Sequence, residues 1–254
     1  METSTRSDQP LLELQGIGKD FGAVRALHDV DLAIRPGEVV GVMGDNGAGK
    51  STLVKIIAGN FAASHGEMRF EGRPVHFRHP IDAREVGIEI VYQDLALVDN
   101  LTATANVYLG RELKWKLGPF AFLDHRAMAN RALEIFGELR SETRPQHLVK
   151  QMSGGQRQAV AIARTRLANA KLVLMDEPTA AISVRQVAQV LSLIRSMRDQ
   201  GVAVVLISHR MPDVFAVADR IVVFRRGEKK ADKAIRDSSP EEVTALITGA
   251  KEAA

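Results

Sequence analysis

The run Val39-Val40-Gly41-Val42-Met43-Gly44-Asp45-Asn46-Gly47-Ala48-Gly49-Lys50-Ser51-Thr52 passes without a break from a buried-strand pattern to a glycine-rich loop and a helix start. Gly44 to Ser51 fit G-x-x-x-x-G-K-[ST], a pattern that carries meaning only between a strand and a helix, where it lies here. Glycine has no Cβ, so the amides of Gly44, Asp45, Asn46, Gly47, Ala48 and Gly49 can turn inward and approach an anion. The helix opening near Lys50 adds the positive end of its dipole. On this reading Lys50 reaches the β- and γ-oxygens of a nucleoside triphosphate, and the Ser51 hydroxyl, with Thr52 beside it, holds Mg²⁺. The alternative is a glycine-rich turn that happens to precede a helix. The strand-loop-helix order argues against it, and the expected cofactors are ATP and Mg²⁺.

A chain of 254 residues can form one large domain or two small ones, with an ample core. With no cysteine, it has neither disulfides nor thiolate metal sites. The polar opening Met1 to Pro10 has no apolar stretch of the signal-peptide kind, which predicts a cytoplasmic chain. No apolar run approaches the roughly 20 residues that cross a bilayer, so a membrane role needs a partner or a surface contact. A basic excess gathers at Arg225, Arg226, Lys229, Lys230, Lys233 and Arg236. It reads as a solvated face, with nucleic-acid or anionic-lipid contact as the minority reading.

In chain order, Leu11 to Lys19 reads as a strand, and Phe21 to Val24 with Leu32 to Ile34 as a further strand pair ending at Pro36-Gly37. Phe21 could present its ring to an adenine, although a core aromatic is the simpler reading. The loop helix ends at Gly59, Gly66 to Gly72 is a short strand, and a helical patch follows Pro80. Ile88 to Tyr92 is a strand that delivers Gln93 at its carboxyl end, where a parallel sheet opens onto its ligand crevice. Gln93 is placed to touch Mg²⁺ or an attacking water, or else is a polar strand terminator. From Leu101 to Gln151 strand signals vanish. Asp124 is a good N-cap there, and Ala129, Ala132, Leu133, Phe136 and Leu139 form a helical stripe. Gly110 to Leu123, with Trp115, is either core packing or a docking surface.

Met152-Ser153-Gly154-Gly155-Gln156 precedes an apolar helical run and makes a second amide-lined anion site. The first phosphate site is already complete, so this loop suits a phosphate held by another subunit. Leu172 to Pro178 is a buried strand delivering Asp176 and Glu177. Asp176 fits the acid that holds Mg²⁺, and Glu177 fits the general base facing the water that attacks the γ-phosphate. Val187, Val190, Leu191, Ile194 and Met197 make the apolar face of a helix stopped by Gly201. The strand Val202 to Ile207 then leads to His209, which could hydrogen-bond the γ-phosphate or attacking water, or be a capping or core histidine. Arg220 to Arg226 is a last strand, and Pro240 to Ile247 a short helix.

Together GDNGAGKS, Gln93, MSGGQ, LVLMDEP and His209 resemble the ATP-binding subunits of ABC transporters, in order and spacing over nearly the whole chain. MSGGQ discriminates, since many NTPases share the other elements. The resemblance implies an α/β fold with a RecA-like phosphate-loop NTPase core. That core has a mixed sheet and an antiparallel β lead-in over 1–93 and 167–254, and a helical and signature subdomain over 94–166. It implies that Phe21 stacks on adenine, that Gln93 couples the site to a membrane subunit, and that His209 is the switch histidine. Ser153, Gly154 and Gly155 would contact the γ-phosphate held by the opposite protomer.

GDNGAGKS, FRHP, VYQDLAL, DEPTAA and ISHRMPDVFAVADRI further resemble the monosaccharide importers of the ribose and fructose type. One phosphate loop and one SGGQ match their single-domain kind, most like the fructose importers. Implied partners are a second protomer, a polytopic permease and, indirectly, a periplasmic or extracellular sugar-binding protein, with the chain at the cytoplasmic face of the inner membrane. The alternative is a soluble ATPase of the same type acting on ribosomes or nucleic acid. Met152 stands where Leu is usual, Phe21 where Tyr is common, and Ser183 where many relatives carry an Asp.

Overall fold

The computed structural model describes residues 9–139, 141–180 and 182–250. Met1 to Asp8, most of the polar opening read above, and Ala181, beside Ser183, lie outside the described residues. The described elements are β1 (Leu12–Phe21), β2 (Val24–Ile34), β3 (Val39–Gly44), α1 (Lys50–Ile57), β4 (His65–Phe70), β5 (Arg73–Val75), α2 (Pro80–Glu85) and β6 (Ile88–Val91). They continue with α3 (Ala103–Val107), β7 (Lys114–Leu117), β8 (Phe120–Leu123), α4 (His125–Glu138), α5 (Gly154–Leu167), β9 (Leu172–Asp176) and α6 (Val184–Asp199). Last come β10 (Ala203–Ile207), α7 (Met211–Val217), β11 (Arg220–Arg225), β12 (Glu228–Ala234) and α8 (Pro240–Thr248).

A six-stranded sheet runs β12-β11-β3-β10-β9-β6, parallel except for the antiparallel edge strand β12. A four-stranded antiparallel sheet, β2-β1-β4-β5, lies over it, so the expected mixed sheet and antiparallel lead-in are both present. Strand alternation sorts the core. Val40, Val42, Val205 and Ile207 face α1 and the antiparallel sheet, in one cluster with Leu12, Leu14, Leu27, Leu53 and Ile57. Val39, Met43, Val204 and Leu206 face the opposite way, toward α6, α7 and α8. All five apolar residues expected on α6 are buried. At roughly 1.5–3 kcal/mol each, an upper bound, they contribute on the order of 10 kcal/mol to docking that helix. A third cluster, Ala103, Val107, Tyr108, Met128, Ala132, Ile135, Phe136, Val160 and Ala163, joins α3 and α4 to one side of α5.

Several local expectations need correction. Phe21 to Val24 is not a strand of its own: Phe21 ends β1, Gly22-Ala23 is the hairpin turn, and Val24 opens β2, one strand of 11 residues. Asp29 takes a left-handed φ of 44° and bulges the strand without ending it, a conformation a short acidic side chain tolerates. On α4 the buried face is Met128, Ala132, Ile135 and Phe136, whereas Leu133 is 57% exposed, because the helix meets α5 a little around from the stripe expected. The insert is not purely helical, since β7 and β8 form a hairpin across Gly118-Pro119. The basic stretch at 229–233 lies within β12, whose run of charged residues concealed the strand pattern. There Lys229 pairs with Asp232, Lys230 with Glu228 and Lys233 with Glu242.

Candidate functional site

The phosphate loop leaves β3 through Gly44, whose φ is +151°, and a Cβ there would stand 2.3 Å from the Phe224 carbonyl oxygen. Only glycine lets the loop lie this close to β11. The loop closes on itself through Ala48 N–H to Asp45 O at 3.1 Å, and α1 follows from Gly49. No side chain caps α1 and its first turn holds no acid, so its N-terminal amides keep their positive potential for an anion. Lys50 Nζ donates to Gly44 O at 2.6 Å and Asp45 O at 2.9 Å. Burial lowers the Lys50 pKa, against the opposing pull of Glu177, Asp176 and Asp45. Arg225 and Arg226 line a hollow of about 260 Å³ on the outer side of the loop with Asp45, Asn46, Gly47, Ala48 and Thr248. Charge counting alone had put these arginines on a solvated face. The signal that was available is that they end the strand running next to β3.

Parallel register brings the other expected residues to the same end of the sheet. Ile207 pairs with both Val42 and Asp176, and Val91 pairs with Met175. Gly44, Asp176, Glu177, Gln93 and His209 therefore all leave carboxyl ends of adjacent strands, the usual ligand crevice of such sheets. Glu177 has φ +51°, a strained value for a residue with a side chain, and its N–H is held by Ile207 O at 2.9 Å. His209 Nδ1 lies 2.8 Å from Glu177 Oε2. The approach is close but not aligned as a hydrogen bond, so Oε2, shielded from solvent, has no hydrogen-bond partner among the described residues. Burial raises the Asp176 pKa, and the Glu177 charge raises it further, against Lys50 and Lys55.

Ser51 and Gln93 are exposed, the latter ahead of a turn in which Leu95 and Ala96 both have positive φ. Among the described residues no cluster of three or more His, Asp or Glu could hold an ion by itself. A hydroxyl, one carboxylate and an amide oxygen, completed by phosphates and water, are the hard donors Mg²⁺ takes, and the raised Asp176 pKa marks a carboxylate that a cation would relieve. The residues present fit Mg²⁺.

Ser153 is the N-cap of α5. Its hydroxyl accepts from Gln156 N–H at 3.4 Å, and its own N–H donates to Gln156 Oε1 at 3.0 Å. Gly154 and Gly155 form the first turn of that helix. Ser183 caps α6 in the same way through Gln186. The two helix starts border a groove of about 290 Å³. A Cβ on Gly155 would meet Gln186 Nε2 at 2.6 Å, so the two N-termini are in direct contact. Gln186 was not expected at the site, and its spacing three residues after Ser183 is the one sequence signal that pointed to it. Among the described residues no hydrogen bond or ion pair joins Ser153, Gly154 or Gly155 to the phosphate loop. Phe21 is 48% exposed at the end of β1, edge-on to Phe61 at 5.4 Å with Lys19 Nζ 5.2 Å from its ring centre. It is not a core aromatic.

Sheet, loop and acid pair together define a phosphate-loop NTPase. The ABC transporter family model matches residues 27–180. The chain is 44% identical to the fructose import ATP-binding protein FrcA of Rhizobium meliloti, over 97% of this chain and 96% of that one. It is also 44% identical to the xylose/arabinose import ATP-binding protein XylG of Sulfolobus acidocaldarius, over 94% of each. The ribose import ATP-binding protein RbsA of Geobacillus kaustophilus is 38% identical over 94% of this chain, which spans 48% of that relative. A nucleotide-free ATP-binding cassette from an ABC transporter superposes with a TM-score of 0.79 at 24% identity, covering 94% of this chain and 96% of that one, a likeness of fold. The cassette MJ0796, as a post-hydrolysis dimer bound to ADP and Pi, superposes at 0.75 with 27% identity, covering 89% and 100%. The chain belongs to the ABC transporter family and is an ATP-binding ATPase of it.

Proposed function

We propose that this ATPase drives uptake of a monosaccharide of the ribose or fructose type, working as a head-to-tail dimer beneath a polytopic permease at the cytoplasmic face of the membrane. The relatives support the sugar class, since their names assign them to fructose, xylose/arabinose and ribose import. Among the described residues no helix is long and apolar enough to cross a membrane, so the pathway for the sugar would belong to the permease. A sugar-binding protein outside the membrane would deliver the cargo. On this reading 1–93 and 167–254 form the nucleotide core, and 94–166 the subdomain that carries Gln93's onward connection and Ser153.

The observation that carries the reading is the split of the site. Lys50, Asp176, Glu177 and His209 converge at one sheet end, while Ser153 and Gly154 stand exposed, and Gly155 partly so, at the start of α5, with no bond to them among the described residues. Such a signature loop is completed by a second copy. Lys50 and the loop amides hold the β- and γ-phosphates, Phe21 stacks on the base, and Ser153, Gly154 and Gly155 of the partner protomer take the γ-phosphate. Mg²⁺, held by Ser51, Asp176 and Gln93, would neutralise triphosphate charge. Glu177 takes a proton from water as its oxygen bonds to the γ-phosphorus and the bond to ADP breaks, with His209 orienting Glu177 and the γ-phosphate. Loss of the shared phosphate releases the dimer, because only the triphosphate state bridges both chains.

Mixing tests this directly. Lys50→Ala and Ser153→Arg should each abolish phosphate release alone. A mixture should regain activity, because one intact composite site forms in each mixed dimer. A mixture as inactive as its parts would refute the shared site.

A further inference from the structure

The hairpin of β7 and β8 stands outside all three apolar clusters, and each of its strand residues is exposed. Trp115 pairs with Phe122 and Leu117 with Phe120, so by strand alternation these four share one face. Trp115 and Phe122 stack at 5.0 Å, yet the four remain 45–66% exposed. A two-stranded hairpin with no core beneath it is marginal in water, and half-exposed rings of this size call for a cover from outside the chain. Lys114 and Lys116 share the opposite face, paired with Leu123 and Ala121. Among the described residues neither lysine forms an ion pair, although Glu112 lies near Lys114. Arg111 nearby is already tied to Glu89. Arg126 follows in the first turn of α4 and Asp124 caps it, so from 111 to 126 the basic Arg111, Lys114, Lys116 and Arg126 outnumber the acidic Glu112 and Asp124, and the surroundings of the hairpin are net basic.

We propose that this hairpin binds an anionic lipid surface, its rings at the boundary between headgroups and acyl chains and its lysines at the phosphates. Aromatic rings and lysines are the side chains that favour that boundary. Charge decides against the other occupant, a permease loop. Cytoplasmic loops of membrane proteins carry excess Lys and Arg, which would repel Lys114 and Lys116, whereas an anionic leaflet attracts them. The hairpin then sets the height and tilt of the ATPase against the bilayer, whatever sugar is carried.

Trp115 is the only tryptophan in the chain, so its emission reports this hairpin alone. Full-length protein should shift to shorter wavelength, and float, with vesicles of phosphatidylcholine plus phosphatidylglycerol and not with phosphatidylcholine alone; added salt should weaken the effect. Lys114→Glu with Lys116→Glu should lower partition by more than about tenfold, at about fivefold for each basic group lost. Phe120→Ser with Phe122→Ser should abolish flotation. Both variants should keep solution phosphate release and thermal unfolding unchanged, which separates this inference from the assignment of the ATPase site. No shift with the anionic vesicles, or equal flotation of the charge-reversed variant, overturns the proposal. So does a shift with native membranes that vesicles of their extracted lipid do not reproduce, which would make the occupant a protein.

Discussion

His209 Nδ1 lies 2.8 Å from Glu177 Oε2, joining the carboxyl ends of β10 and β9 across the mouth of the site. The carboxylate is largely buried and the imidazole largely exposed, so the ring lies over Glu177 from the solvent side. Oε2 is shielded from solvent beneath the ring, so a water reaches it only when the imidazole is drawn aside. Glu177→Gln should lower phosphate release by about 10²–10⁴-fold while ATP affinity is retained. Gel filtration with ATP should then find the variant trapped as a dimer.

His209→Ala should slow turnover with little change in thermal stability, since the ring is 69% exposed and buries little. Stopped-flow phosphate release beside a melting curve separates the two effects. A large fall in melting temperature would make His209 a structural residue.

Asp176 has a raised pKa in the folded chain, from burial first and Glu177 second. A raised carboxylate pKa means stability that is present below the unfolded pKa and lost as pH rises through the folded value. Asp176→Asn should therefore stabilise the nucleotide-free protein at neutral pH, with the advantage shrinking as the buffer is acidified. It should also abolish hydrolysis. Melting curves across mildly acid to neutral pH check the first effect, and phosphate release the second.

Phe21 meets Phe61 edge to face and leaves about half its surface free. Offset stacking is worth roughly 0.5–1.5 kcal/mol, so Phe21→Ala should weaken ATP binding by about 2- to 13-fold. Phe21→Tyr should not weaken it. Calorimetric titration of both variants is the measurement.

Gly155 leaves the space that Gln186 fills, and Gln186 holds the Ser183 cap. In a urea double-mutant cycle, Gly155→Ala and Gln186→Ala should couple by about 0.5–3 kcal/mol, because removing Gln186 opens the room an alanine needs. Additive effects would mean that the two helix starts are independent.

Arg220 bridges Glu38 at 2.8 Å and Asp232 at 2.5 Å and also donates to Ala33 O, tying β11 to both the antiparallel sheet and β12. Arg220→Ala should cost about 3–5 kcal/mol in urea unfolding, since it strands the buried Glu38. Arg220→Lys should recover only part of this, because one ammonium cannot replace the fork.

Some of this was already legible in the linear chain. The phosphate loop announces itself because its chemistry is local: amides, lysine and hydroxyl all come from one turn and the helix after it. Asp176, Glu177 and His209 were legible for a related reason, since an apolar strand ending in an acid or a histidine implies a crevice at that end. The Gly22 turn, the Asp29 bulge and β12 were missed. Each departs from simple alternation, and pairing with β1 or β11 overrides local propensity there.

What the sequence by itself determined is the identity of the groups and the class of fold, because spacing and side-chain type suffice for both. Only the tertiary structure decided that Glu177 and His209 meet, that Phe21 is half exposed, that Gly155 rests on Gln186, and that the hairpin around Trp115 is uncovered. Those facts depend on which strands become neighbours and how sheets and helices stack. Such long-range choices are settled by the shared apolar core, and no single stretch of chain contains them.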